Sequence, residues 1–341
     1  RLDSISLIVQ LAIRLTSEVL LVRVLVTGGA GFIGSHLAEE LLHRGHRVIV
    51  YDNFDNYYYG KEHNIKGLLR NPSFTLVRRD ILDYRSLLST SKVDVIFHLA
   101  AQPGVRFSMR NPEKTVRVNV LGTLNVLKAA VENGVKMVVY ASSSSVYGVP
   151  QRLPMDEEHP TNPISVYGIS KLTGEKLCNM FSELYGLKVV ALRFHTVYGP
   201  RQRPDMAIHK WTKQLFSGKP LTVYGDGHQT RDFTYISDIV SGIILASEWG
   251  GEGYEVFNLG AGHNYSVLEV IRILGEVAGI EPKLSFEKPK KGDVPHTYAD
   301  IRKAERELGF KPRVGLKEGL ERFIEWFKLR GDTLKPGSCG I

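Results

Sequence analysis

Cysteine is almost missing. Cys178 and Cys339 are the only two in 341 residues, which excludes a disulfide framework and a cysteine-rich metal centre and suits a reducing compartment such as the cytoplasm. Blocks of like charge are missing too. The 44 Lys and Arg outnumber the 36 Asp and Glu, for a formal net charge of +8, but they are scattered. That pattern argues against a nucleic-acid groove and for a small anionic partner bearing phosphate. No apolar run is long and clean enough to span a bilayer. Residues 1–21 are rich in Leu and Ile, yet Arg14 and Glu18 interrupt them and no small-residue cleavage site follows. They read as an extension outside the core, and no membrane association is expected. Repeats and low-complexity stretches are lacking. What is present, 43% hydrophobic and 23% charged residues, is ordinary for a folded α/β chain with an appended lobe.

Strand and helix patterns alternate through the first two thirds. Strands are expected at residues 22–26, 47–51, 74–78, 93–99, 137–141 and 189–194. Helices are expected at 34–44, with Leu37, Leu41 and Leu42 on one stripe, at 113–132 and at 166–185. This alternation predicts a Rossmann-type α/β fold, a doubly wound parallel sheet over residues 22–198. Beyond Tyr198 the elements shorten, punctuated by Pro200, Pro204 and Pro220. Segment 230–260 is expected to return to the sheet, with 256–259 as a further strand. Segments 199–229 and 261–330 are expected to form a smaller mixed α/β lobe over the C-terminal edge of the sheet. Residues 331–341 read as a tail.

The chemistry begins at Thr27-Gly28-Gly29-Ala30-Gly31-Phe32-Ile33-Gly34, which joins the first strand to the first helix. Glycines there allow a tight turn and bring backbone N–H groups and a helix N-terminus to a pyrophosphate. Asp52 ends the next strand, where a carboxylate can accept both ribose hydroxyls and repel a 2′-phosphate. The cofactor expected is therefore NAD rather than NADP, with Asn53 beside Asp52. Asp80 and Ile81 are expected to edge the adenine, and Leu99, Ala100 and Ala101 to flank the cofactor path. His98 reads as a packed strand histidine.

Tyr167 and Lys171 in Ser-Val-Tyr-Gly-Ile-Ser-Lys are spaced i, i+4 and share one helix face. A nearby ammonium, with the positive nicotinamide, brings a phenol toward a working pKa. Lys171 can also hold the nicotinamide ribose. The serine run Ser142-Ser143-Ser144-Ser145 ends the preceding strand and offers a hydroxyl to complete a proton relay. Ser142 and Phe194, the latter ending the sixth strand, are placed with the cofactor.

Together these motifs resemble the extended short-chain dehydrogenase/reductase family, and within it the nucleotide-sugar epimerases, over roughly residues 22–327. The resemblance implies that Ser143, three residues before Val146-Tyr147-Gly148, bonds the sugar hydroxyl, and that Ser144 and Ser145 support it. Dehydratases usually carry an Asp-Glu pair at those two positions, so dehydration is disfavoured. Asn119 is implied to act structurally beside the active site. The resemblance further implies that Arg231 grips a nucleotide diphosphate, that Asp293 reads the uridine ribose, and that Val223 and Lys290 contact substrate. Lys290 stands where many members carry arginine.

The stretch Arg193-Phe-His-Thr-Val-Tyr-Gly-Pro-Arg-Gln-Arg-Pro-Asp-Met-Ala207 resembles the signature of UDP-glucuronate 4-epimerases. By that likeness Thr196 and Arg203 meet the sugar carboxylate and Arg106 faces the same pocket. His195 departs from the usual Phe or Tyr. The expectation is thus a UDP-sugar 4-epimerase with tightly held NAD, acting on UDP-glucuronate. UDP-glucose or N-acetyl epimerisation is the alternative, with a decarboxylase or a non-catalytic NAD-binding scaffold behind it. No metal is expected, and a homodimer through helices 113–132 and 166–185 is.

Overall fold

The computed structural model describes residues 22–290 and 292–330, together with the main chain of 335–336. The reading of residues 1–21 as an extension, and of most of 331–341 as a tail, lies outside the described residues.

Seven parallel strands form the central sheet: β1 (Arg23–Thr27), β2 (Arg47–Tyr51), β3 (Phe74–Val77), β4 (Val95–His98), β5 (Met137–Ser143), β6 (Lys188–Phe194) and β7 (Tyr254–Leu259). Their order across the sheet is β7-β6-β5-β4-β1-β2-β3. Every adjacent pair is parallel, with Val24 in register with both Val48 and Val95. The strand order reverses between β1 and β4, and ligands of open α/β sheets bind at such a switch point.

Both faces of a parallel sheet must be covered, so its strands read as near-continuous apolar runs. Val24 and Val26 belong to the core under helices α1 (Phe32–His43) and α5 (Ile236–Ser247). Leu25 belongs to the opposite core, under α2 (Gly122–Glu132) and α3 (Val166–Tyr185). The expected return of 256–259 to the sheet is observed: β7 pairs with β6, with Phe257 opposite Leu192. The helix expected at 113–132 is three pieces, Pro112–Val116, a π turn at Arg117–Leu121, and α2. A π turn shifts side chains by a residue, and π turns are frequent at functional sites.

The last third of the chain adds α4 (Ala207–Phe216), α6 (Val267–Ala278) and α7 (Leu316–Arg330), whose buried residues join the core that holds Val24 and Val26. Ser266 caps α6 in a capping box with Glu269, and Gly279 ends the helix at φ 67. Strand Leu221–Tyr224 pairs in parallel with Leu284–Glu287, whose four residues are all exposed and were not expected as a strand. Two short pairs stand apart from the central sheet: Phe233–Tyr235 beside Thr196–Tyr198, and Thr230–Arg231 beside Tyr265–Ser266.

Candidate active site

The C-terminal ends of the sheet strands open into a cleft of about 200 Å³. Gly28 sits at φ 69, and a Cβ there would lie 2.8 Å from the Ala100 backbone, so the loop after β1 and the loop after β4 touch. A Cβ on Gly34 would lie 2.3 Å from the Gly28 carbonyl, which allows α1 to seat directly on the turn. Gly31 caps α1 without a side-chain acceptor, and no acid occupies the first turn. The helix N-terminus is thereby left open to an anion. Asp52 is buried at the end of β2, and its carboxylate accepts N–H bonds from Ala30 (3.0 Å) and Phe54 (2.8 Å). Burial pushes its pKa up, with Lys61 opposing.

All the residues expected around the cofactor line this cleft except Asn119. Asn53 donates to Asp80 at 2.8 Å, which sets both at one rim, and the Leu82 N–H bonds the other Asp80 oxygen. Asn119 lies behind the cleft on the π turn. It accepts from the Gln102 N–H at 2.7 Å and donates to the Gln102 carbonyl and to Ser170, pinning the β4 loop to α3. His98 is locked between Thr27 (2.8 Å) and Thr123 (3.0 Å), and burial pulls its pKa to about 3, so it is a neutral packing residue.

Two serines fix the start of α3. Ser165 caps it by accepting from the Gly168 N–H, and the Tyr167 N–H donates to Ser108 Oγ, both at 3.0 Å. Tyr167 and Lys171 consequently enter the same cleft. Lys171 Nζ donates to the Ala141 carbonyl at 2.7 Å and stands 5.9 Å from the centre of the Tyr167 ring. Burial pulls the Lys171 ammonium down to about 8, with Cys178 and Glu175 opposing. Burial pushes the Tyr167 phenol up, while the Arg203 guanidinium and the Ser143 hydroxyl lower it. Arg203 thus joins Lys171 as a cation near that phenol. Ser143 Oγ donates to Ser145 Oγ and accepts the Ser145 N–H, each at 3.1 Å. Ser144 continues the short turn Ser144–Val146.

Behind the serines runs a buried network that the sequence reading missed. Glu175, two helical turns from Tyr167, receives the Ser142 hydroxyl and a bidentate pair from Arg193 (3.0 and 2.8 Å). Arg193 also donates to Tyr147, which donates to Asn258 at 2.7 Å. The available signal was an acid on the apolar face of α3, one turn beyond Lys171. Buried charges demand partners.

Arg203 lines the cleft beside Tyr167 and is gripped by Asp205 through Nε (3.0 Å) and a second nitrogen (3.2 Å). Burial opposes its charge, but Asp205 and Tyr57 more than offset this and raise its pKa. The Tyr57 hydroxyl donates to the same Asp205 at 3.0 Å. Thr196 is half-buried in register with Phe233. Arg106, expected in the sugar pocket, instead pairs with Asp293 at 2.8 Å and stacks 4.6 Å from the Tyr224 ring, with Lys290 also 4.6 Å from that ring. Among the described residues Arg231 donates to the Thr230 and Pro295 carbonyls, and burial lowers its pKa, with Asp293 opposing. It keeps donors for an added anion. The Val223 side chain is buried in the core, so only its main chain can face a ligand. Among the described residues the buried His195 makes no close hydrogen bond through either ring nitrogen; burial lowers its pKa, with Asp232 and the nearby Asn258 side chain opposing.

This cradle fits a dinucleotide: an uncapped helix N-terminus on three close-packed glycines, a buried carboxylate one strand away, and small residues after β4. Comparison with known proteins agrees. Residues 24–260 match the model of the NAD dependent epimerase/dehydratase family. The UDP-glucose epimerase YtcB of Bacillus subtilis, itself uncharacterized, is 44% identical over 89% of this chain and 97% of its own length. UDP-glucuronate 4-epimerase 4 of Arabidopsis thaliana is 39% identical over 90% of this chain and 75% of its own length. The crystal structure of UDP-glucuronic acid 4-epimerase from Bacillus cereus, in complex with UDP-glucuronic acid and NAD, superposes with a TM-score of 0.86 at 40% identity. That match covers 90% of this chain and 99% of the other. The chain belongs to the NAD dependent epimerase/dehydratase family.

Proposed function

We propose that the protein is a UDP-sugar 4-epimerase that interconverts UDP-glucuronate and UDP-galacturonate through a 4-keto sugar. The observation that carries this reading is Arg203 on the same cleft wall as Tyr167, within electrostatic reach of its phenol. A planar guanidinium there matches a carboxylate on the sugar carbon next to the one that reacts. The relatives and the Bacillus cereus structure support it by what they are named for.

Gly28, Gly31, Gly34 and the N-terminus of α1 would hold the NAD pyrophosphate, and Asp52 the adenosine ribose. Bound NAD supplies an acceptor for the hydride leaving carbon 4 and gives it back to the opposite face. The protein's own part is proton transfer and restraint. Tyr167 removes the proton of the 4-hydroxyl and later returns it, with the Ser143 hydroxyl orienting the same oxygen. Lys171 keeps an ammonium beneath the ring, anchored by Ala141. Arg231 and Lys290 meet the diphosphate, and Asp293 meets the uridine ribose once Arg106 releases it. The intermediate is a β-keto acid, so Arg203 and Thr196 must hold its carboxylate out of the geometry that expels carbon dioxide.

UDP-glucose epimerisation is the second reading. Arg203 already has a carboxylate partner in Asp205 and needs none from the substrate. Product analysis of UDP-glucuronate, UDP-glucose and UDP-N-acetylglucosamine side by side separates the two. UDP-galacturonate as the fastest product is expected. UDP-4-keto-pentose or UDP-xylose as the main product would overturn it.

The enzyme is further proposed to act as a homodimer in the cytoplasm. Ile169 (51% exposed), Met180 and Leu184 (66%) on α3, with Val116 and Leu121 on the neighbouring helix, present apolar side chains to solvent. The free Cys178 is buried, as suits a reducing compartment. Sedimentation equilibrium tests the dimer: twice the chain mass is expected, and a Leu184→Glu chain is expected to sediment as a monomer.

A further inference from the structure

Tyr58 sits on a two-residue strand, Tyr58–Tyr59, whose main chain pairs antiparallel with Lys335–Pro336. Strand alternation turns Tyr59 outward (50% exposed) and Tyr58 inward (4%). The Tyr58 hydroxyl is buried beside the Phe32 N–H at the start of α1, and its own O–H has no acceptor among the described residues. It faces the glycine loop: a Cβ placed on Gly31 would lie 3.7 Å from that oxygen. Both residues line the cofactor cleft. A buried phenol without an acceptor is costly, and such groups call for an explanation.

The surroundings narrow what the acceptor is. The start of α1 offers further donors and no acid in its first turn. Lys61 brings its ammonium to 5.0 Å from the Tyr58 ring centre. Burial raises the phenol's pKa, with Arg203 opposing and Asp52 and Asp205 adding to it, so the hydroxyl stays protonated and acts as a donor. Lys61 is held by the Asp55 carbonyl at 2.7 Å, which leaves the Tyr58 O–H and the α1 N-terminus as donors suited to an anion with several oxygens.

We infer that the Tyr58 hydroxyl is a phosphate ligand of the bound dinucleotide, donating to the pyrophosphate beside the α1 N-terminus. The inference rests on the assignment of this cleft to NAD. Its neighbour Tyr57 holds Asp205, which holds Arg203. The tyrosine pair therefore links cofactor retention to the arginine proposed for the sugar carboxylate.

The test is a Tyr58→Phe variant of the full chain, which keeps the ring and loses one oxygen. Three ligands are titrated calorimetrically into nucleotide-depleted wild type and variant: NAD, ADP-ribose and adenosine. NAD and ADP-ribose are expected to bind the variant about 10- to 100-fold more weakly, since each carries the pyrophosphate. Adenosine is expected to bind both proteins equally. The ligand-free variant is expected to melt close to ligand-free wild type, because the hydroxyl donates to no described group. Equal affinity of both proteins for NAD and ADP-ribose overturns the inference and leaves the NAD assignment standing. An equal loss for adenosine also overturns it, since the tyrosine then shapes the pocket rather than meeting phosphate. Failure of wild type to bind NAD overturns the assignment itself.

Discussion

Lys171 and Tyr167 enter one cleft from the same face of α3, with the Lys171 nitrogen 5.9 Å from the centre of the phenol ring and its proton given to the Ala141 carbonyl. The ammonium is thus fixed to the end of β5 and faces the reaction from below. The phenol has Ser143 on one side and Arg203 within electrostatic reach. Replacing Tyr167 by Phe should lower kcat by about 10²- to 10⁴-fold, the usual worth of a positioned acid–base group. The variant should still purify with NAD, which is read by releasing the nucleotide and quantifying it. Unchanged turnover would revive the scaffold reading.

The burial of Lys171 sets a pH dependence. Its folded pKa, about 8, lies below the ordinary 10.5. Between those values the unfolded chain binds more protons, so this residue's contribution to stability rises with pH. Chemical denaturation of wild type and Lys171→Met at pH 7, 8, 9 and 10 should show their difference shifting toward wild type across that window. In activity, the loss of the ammonium should give kcat/KM of the wild type an alkaline limb near pH 8.

Arg203 should decide the sugar. Arg203→Ala is expected to reduce kcat/KM for UDP-glucuronate by about 10²-fold or more, since a buried charge-assisted pair is lost. UDP-glucose should suffer far less. A carboxylate no longer held should also leave more often, so carbon dioxide release per turnover should rise in the variant. Equal losses for both sugars would place Arg203 in support of Tyr167 alone.

The Glu175–Arg193 pair is nearly inaccessible, with side chains 3% and 6% exposed. Removing one partner of a buried pair leaves a stranded charge, so Glu175→Ala should cost about 3–5 kcal/mol in guanidinium unfolding. His195 is the opposite case. Among the described residues neither of its buried nitrogens makes a close hydrogen bond, so His195→Phe should cost far less than Glu175→Ala, within about 1 kcal/mol of wild type, measured the same way.

Much of this was legible because it is local. The glycine turn, Asp52 one strand on, and Tyr167 and Lys171 one turn apart are each encoded within a few residues. The alternating strands and helices then leave few ways to wind them. What was not legible depends on distant partners. Tyr57 reaches Asp205 and Arg106 reaches Asp293 only after the lobe has folded back, across 148 and 187 residues of chain. Strand Leu284–Glu287 carries no inward-facing alternation, because none of its residues is buried. The orphaned Tyr58 hydroxyl has no signature at all in a sequence, since it is defined by what surrounds it.

The central claim is that carbon 4 of a UDP-uronate gives up its hydrogen and receives the same one back on the other face. Conversion of UDP-glucuronate carrying deuterium at carbon 4, followed by NMR of the product, tests it directly. The account predicts UDP-galacturonate with the deuterium retained at carbon 4 and the carboxylate intact. Product in which that deuterium has washed out to solvent, or from which the carboxylate has gone, contradicts it.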